Sequence, residues 1–172
     1  MIDRVPRATA GDDPTTEETS GSNEATLDLG DAVESVQQAL GAEHAAVWAY
    51  GLAAAFTDAS VAEALAEGTR IHTDRRDLVE TALRAQGTDP APTEAAYQPP
   101  EPVTDHASAV AMLVLTESDC AAGWRAVLER AQEPELRGIT LEMLTDAALR
   151  ATRWRRVAGQ TPSTVPFPGS PS

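Results

Sequence analysis

Lysine is absent from this chain of 172 residues; all 13 basic residues are arginine. Cysteine occurs once, as Cys120, so no intrachain disulfide can form and cysteine usage gives no sign of an oxidising compartment. Aromatic residues make up only 4% of the chain, and β-branched runs or strict apolar/polar alternation are too short to read as strands. Long hydrophobic runs are missing as well. No stretch would span a bilayer, and the first 25 residues hold no apolar core of signal-peptide length, which leaves the cytoplasm as the expected location. Gly-rich phosphate loops, nucleophile elbows and zinc-type spacings are not found. Positive charge is the scarcest property: 27 acids outnumber the arginines and the net charge is −14. So acidic a chain is not expected to bind nucleic acid or dock on an anionic membrane. Its one basic cluster, Arg150, Arg153, Arg155 and Arg156, reads as a helix end balancing its own dipole.

What is present is alanine, leucine and valine with charges at helical spacing, on a chain the size of one domain. Residues 1–25 are mainly Thr, Asp, Glu and Gly and read as a disordered acidic tail, with too little apolar surface to offset ordering entropy. Residues 26–159 read as the folded part. Residues 160–172 form a Pro-rich tail that only Val165 and Phe167 could anchor.

Four helices are expected. The first runs from about Leu27 to Thr57. A turn at Asp58-Ala59-Ser60 leads to the second, with Ser60 and Glu63 spaced as a capping box and Gly87 as its stop. So short a turn makes an antiparallel hairpin. Residues 87–103 carry five prolines and cannot be helical throughout, but extended they reach ~55 Å. That exceeds a helix of ~42 Å, so the third helix (about Thr104 to Gln132) can run parallel to the second. Pro134 suits the first turn of the fourth, which ends near Gly159. Two antiparallel hairpins joined by a long Pro-rich crossover make an all-α, ferritin-like four-helix bundle.

Three polar residues interrupt the apolar seams. Glu43 falls between Leu40 and Val47, His72 between Leu65 and Val79, and Glu117 between Val114 and Ala121. All lie near helix midpoints, so they should meet at the bundle centre. A buried carboxylate costs several kcal/mol unless paired or metal-bound. Glu43, His72 and Glu117 are thus candidate ligands for iron or manganese. Carboxylate-bridged di-metal bundles use one Glu from each of two helices and Glu-x-x-His from the other two. Thr69 stands where the carboxylate before His72 would be, and the fourth helix has no histidine. Asp146, four residues before Arg150, reads as half of a solvated ion pair. The competing reading is a metal-free polar network in which Arg75 or Arg76, one turn beyond His72, neutralises Glu43 and Glu117. His44 should point toward a neighbouring helix or partner, His106 should be exposed, and Cys120 should be a small buried hydrophobe. Trp48 and Phe56 lie off the main seam and would suit a dimer interface.

The strings EHAAVWAYG (43–51), HTDRRDLVETALRAQG (72–87), AAYQPPEPV (95–103) and LTESDCAAGW (115–124), with FPG at 167–169, resemble an actinobacterial ferritin-like family of unassigned function. The resemblance covers about residues 30–169. It implies the ferritin-like fold and a homodimer, and brings no activity, substrate or metal.

Three functions remain open at this level. The favoured one is a non-catalytic binding or scaffold bundle with a degenerate di-metal site and no cofactor. The others are an iron or manganese oxidoreductase or iron-handling protein using Glu43, His72 and Glu117, and a small-ligand binder with an apolar pocket beside Trp124.

Overall fold

The computed structural model describes residues 27–170. A 3-10 turn at Gly30–Ala32 leads into α1, Val33–Ala53; a second, Ala59–Val61, leads into α2, Ala62–Ala85. Helices α3, His106–Arg130, and α4, Pro134–Val157, complete the fold, and there is no strand among the described residues. The capping box expected at Ser60 and Glu63 does not form, because the chain there takes the 3-10 turn and α2 starts with no side-chain cap. A capping box stands instead at the start of α3: Asp105 accepts from the Ser108 amide, and the Ser108 hydroxyl accepts from the Asp105 amide. Pro134 opens α4 as expected. Gly87 and Gly159, both at positive φ, end α2 and α4 in the same way. The Thr88 amide reaches the Leu83 carbonyl and the Gln160 amide the Arg155 carbonyl, which closes the last turn of each helix.

The molecule is an all-α ferritin-like four-helix bundle. Helix α1 packs on α2 and on α3, and α3 packs on α4, whereas no Cα of α2 lies within 8 Å of one in α4. Side-chain pairings fix the directions. Glu43 meets His72 while Gln86 meets Leu27, so α1 and α2 are antiparallel. Glu117 meets Arg150 while Leu128 meets Arg137, so α3 and α4 are antiparallel. The crossover travels along α1. Gln37 bonds to Asp89 and Ala91, His44 lies 3.2 Å from the Ala91 carbonyl, and the Tyr97 ring stacks at 5.6 Å on Trp48. It ends beside the first hairpin turn, where His106 Nδ1 accepts from the Asp58 amide.

Trp48 is therefore covered by the chain's own crossover, and Phe56 is half-buried against the core. His44 is also buried and serves the crossover, its Nδ1 lying 3.1 Å from Thr93 Oγ1.

The C-terminal segment also departs from expectation. Val165 is exposed and Phe167 is 79% exposed; the chain is held by Gly169, pressed against the Ala121 carbonyl, and by Ser170, bonded to Arg125. The acidic tail expected at residues 1–25 lies outside the described residues. No helix among the described residues is long and apolar enough to cross a membrane.

Two apolar clusters fill the bundle. One gathers Leu29, Val36, Leu40, Leu83, Trp124 and Val127; the other gathers Tyr50, Leu65, Val110, Leu113 and Trp154. Each large side chain so buried contributes about 1.5–3 kcal/mol. Between the clusters lies a polar layer.

Candidate functional site

Glu43, His72 and Glu117 meet in that layer, all three completely buried. His72 Nδ1 lies 2.6 Å from Glu43 Oε2 and its Nε2 lies 3.1 Å from Glu117 Oε1. Ionised carboxylates only accept, so both contacts are satisfied together only by a doubly protonated ring. Burial alone would lower the His72 pKa; its hydrogen bonds to Glu117 and Glu43 outweigh burial and raise it above the ordinary 6.5.

Four more helical residues close the cluster. Trp124 Nε1 donates to Glu43 Oε1 at 2.6 Å. Tyr50 donates a short hydrogen bond to Glu117 Oε1 and accepts one from Trp154 Nε1 at 2.8 Å. Arg150 Nε donates to the same Glu117 oxygen at 2.9 Å. Burial opposes ionisation of Glu117, but His72 and Arg150 hold its pKa below the ordinary 4.5. Burial beside the Glu117 carboxylate pushes the Tyr50 phenol far up, so it stays a donor. Burial pushes the Cys120 thiol up as well, and its Sγ donates a long hydrogen bond to the Ala42 carbonyl at 3.7 Å.

The arginines are not where the spacing put them. Arg75 bonds to neither glutamate; its Nη2 donates to Asp146 Oδ2 at 2.9 Å. Arg76 turns outward to Asp77. Asp146 is not half of a solvated pair with Arg150, whose Nη1 stands 3.9 Å away while its Nε is committed to Glu117. Arg150 does not sit at a solvated helix end either, being only 6% exposed. The sequence held the signal for it. The buried seam of α4 reads Leu136, Thr140, Met143, Ala147, Arg150 and Trp154, so Arg150 falls in the same 4-3 spacing that marks Glu43. Tyr50 and Trp124 sit at apolar seam positions, and periodicity says nothing about the polar tip that each carries into the cluster.

These residues fit a di-metal centre poorly. Both Glu43 oxygens and Glu117 Oε1 already accept hydrogen bonds from protein donors, and both ring nitrogens of His72 face carboxylates. Of the four carboxylate oxygens of Glu43 and Glu117, Glu117 Oε2 is the one without a partner among the described residues. Helix α4 offers a cation where a ligand would be needed, and a guanidinium at 2.9 Å from a carboxylate competes directly with a metal ion. Beside Trp124 lies a small apolar crevice lined by Leu78, Val79, Ile139 and Met143, with about 20 Å³ of free space. That is room for a water or two, not for an organic ligand.

The charge arrangement predicts a pH profile. His72 contributes stability that is complete below 6.5 and is lost as pH rises through its raised folded-state pKa. Glu117 contributes stability that is complete above 4.5 and is lost as pH falls through its lowered one. Urea unfolding from about pH 4 to about pH 9 should therefore show stability declining on the alkaline side, with that limb flattened in His72→Gln. A profile that rises there, or an unchanged decline in the variant, would remove the imidazolium.

Comparison with known proteins agrees with the fold. The family model described as "Domain of unknown function (DUF4439)" matches residues 35–172. Among solved structures, the chain is similar to a conserved hypothetical protein, rv2844, from Mycobacterium tuberculosis. Identity is 36%, covering 74% of this chain and 98% of that one, with a TM-score of 0.72. No curated protein matches.

Proposed function

From a chain that belongs to the DUF4439 family, we propose a non-catalytic binding or scaffold protein whose ferritin-like centre is closed by hydrogen bonds instead of a metal. One observation carries this reading. Arg150, Tyr50 and His72 converge on a single oxygen of Glu117, so the carboxylate that would bridge or ligate a metal is engaged by three donors. Buried ionic groups arranged in this way hold the helices in one register, since each must find its partner across the bundle. The reading places the protein in the cytoplasm as a homodimer. Leu141 and Leu149, two turns apart on α4 and each 52% exposed, support a self-associating face. The mycobacterial relative supports an actinobacterial family.

A second reading has its own support. One ligand atom each of Glu43, His72 and Cys120 lie within 4.8 Å of one another, close enough for a single iron or manganese ion if the His72–Glu43 hydrogen bond were given up. Elemental analysis of untagged protein, as purified and after anaerobic Fe(II) loading, separates the two. The network reading expects less than about 0.1 metal per chain in both samples and a light-scattering mass near twice the 18.1 kDa protomer. Stoichiometric metal that is lost in Glu43→Ala would overturn it in favour of the metal protein.

A further inference from the structure

The geometry points to a binding site for a small carboxylate in the seam between α2 and α4, held by Arg75 and Arg150, with Asp146 acting as its built-in stand-in.

These two helices do not approach within 8 Å at any Cα pair, so side chains alone fill the seam between them. At the level of the polar layer that filling is two guanidiniums. Arg75 is 7% exposed and Arg150 is 6% exposed, and each keeps one terminal nitrogen, Arg75 Nη1 and Arg150 Nη2, without a hydrogen-bond partner among the described residues. A buried, unpaired guanidinium N–H costs free energy that a suitable acceptor would recover. Burial disfavours the Arg75 charge; the nearby Glu43 carboxylate outweighs the repulsion from Arg150, and the guanidinium's hydrogen bond goes to Asp146.

Among the described residues, the carboxylate that reaches toward both arginines is Asp146. Its Oδ2 lies 2.9 Å from Arg75 Nη2 and 3.9 Å from Arg150 Nη1, so it grips one arginine and only approaches the other. Asp146 is also 53% exposed, against 8% and 7% for the arginine side chains, which puts it at the mouth of the seam. It can rotate into water without unfolding anything. A free carboxylate entering behind it would preserve the local charge and, not being tethered to α4, could bridge both arginines. Because both arginines are buried, the smallest carboxylates, acetate and formate, are the ligands to test. The central triad is not part of this site, although Arg150 serves both. The inference deepens the binding role proposed above and rests on that reading only in that Arg150 stays bonded to Glu117. Metal content and carboxylate binding are read separately, so either can fail alone.

Asp146 competes with the ligand, so removing it should tighten binding by the fraction of time it blocks the site. Thermal unfolding of the full chain in sodium acetate, against sodium chloride at equal ionic strength, tests this. Wild type should show an acetate-specific rise in Tm, and Asp146→Asn should show the same rise at about tenfold lower acetate or less. Asp146→Asn/Arg75→Gln should show none. The proposal is overturned if Asp146→Asn gives no rise beyond chloride, if the rise is confined to that variant, or if it persists without Arg75. Should the double variant fail to fold, sodium acetate soaked into Asp146→Asn crystals decides. Planar density bonded to Arg75 and Arg150 that is missing after a sodium chloride soak supports the site, and its absence overturns it.

Discussion

Arg150→Met should destabilise the protein by about 3–5 kcal/mol, close to the largest effect a single exchange can have here. The guanidinium donates to Glu117 at 2.9 Å, and Glu117 is completely buried. Methionine fills much of the same volume, so the loss is electrostatic and leaves a carboxylate with less to balance it. His72 and Tyr50 still reach that oxygen, which keeps the variant foldable. Two features distinguish this from ordinary loss of packing. The deficit should shrink as pH falls, because a Glu117 freed from Arg150 protonates at higher pH than in wild type. Adding Glu117→Gln should also recover part of the loss, because it removes the stranded charge. Urea unfolding of the two single variants and the double variant measures both. A loss under about 1 kcal/mol, or strict additivity in the cycle, would show that Arg150 does not neutralise Glu117.

The centre of the bundle was legible in the sequence to the extent that burial is periodic. Glu43, His72 and Glu117 stand at seam positions near helix midpoints, so their meeting at the bundle centre is legible whichever way the third helix runs. What periodicity does not carry is the reach of a long side chain. Arg75 sits one turn from His72 and was equally able to point at Glu43 or across the seam; it crosses to Asp146 on a helix remote in sequence. Arg150 was hidden for a different reason. Three further arginines follow it near the helix end, and the dipole argument that suits Arg155 and Arg156 was extended to a residue on the buried face. The helix starts show the same limit on a smaller scale. Ser60 and Glu63 have the capping-box spacing, but the first hairpin turn leaves by a 3-10 turn, whereas Asp105 and Ser108, with less regular chemistry, form the real one.

The other large effect should come from a single methyl group. Gly68 lies on the buried face of α2, and a Cβ built there would fall 2.5 Å from Tyr50 Cζ and 2.8 Å from its hydroxyl. The far end of a side chain often yields to such an intrusion, but Tyr50 cannot easily do so. Its ring is completely buried, and its hydroxyl is fixed at both ends, donating to Glu117 and accepting from Trp154. Moving the ring would break that link between α1, α3 and α4 and remove one of the donors that close the central carboxylate. Alanine gains about 1 kcal/mol over glycine in helix propensity, but overpacking and the broken hydrogen bonds outweigh it, for a net loss of about 2–3 kcal/mol. Gly41→Ala is the matching control. That glycine is exposed in α1 with nothing within 4 Å of a built Cβ, so the same exchange should stabilise by up to about 1 kcal/mol. Opposite signs for one chemical change, read from urea midpoints, would tie the loss to the ring and not to the helix. Shortening the ring in Gly68→Ala/Tyr50→Leu should then cost less than the two single changes together, since each removes what the other strains against. Equal effects at Gly41 and Gly68 would mean that Tyr50 is free to move, and with it that the centre is not closed.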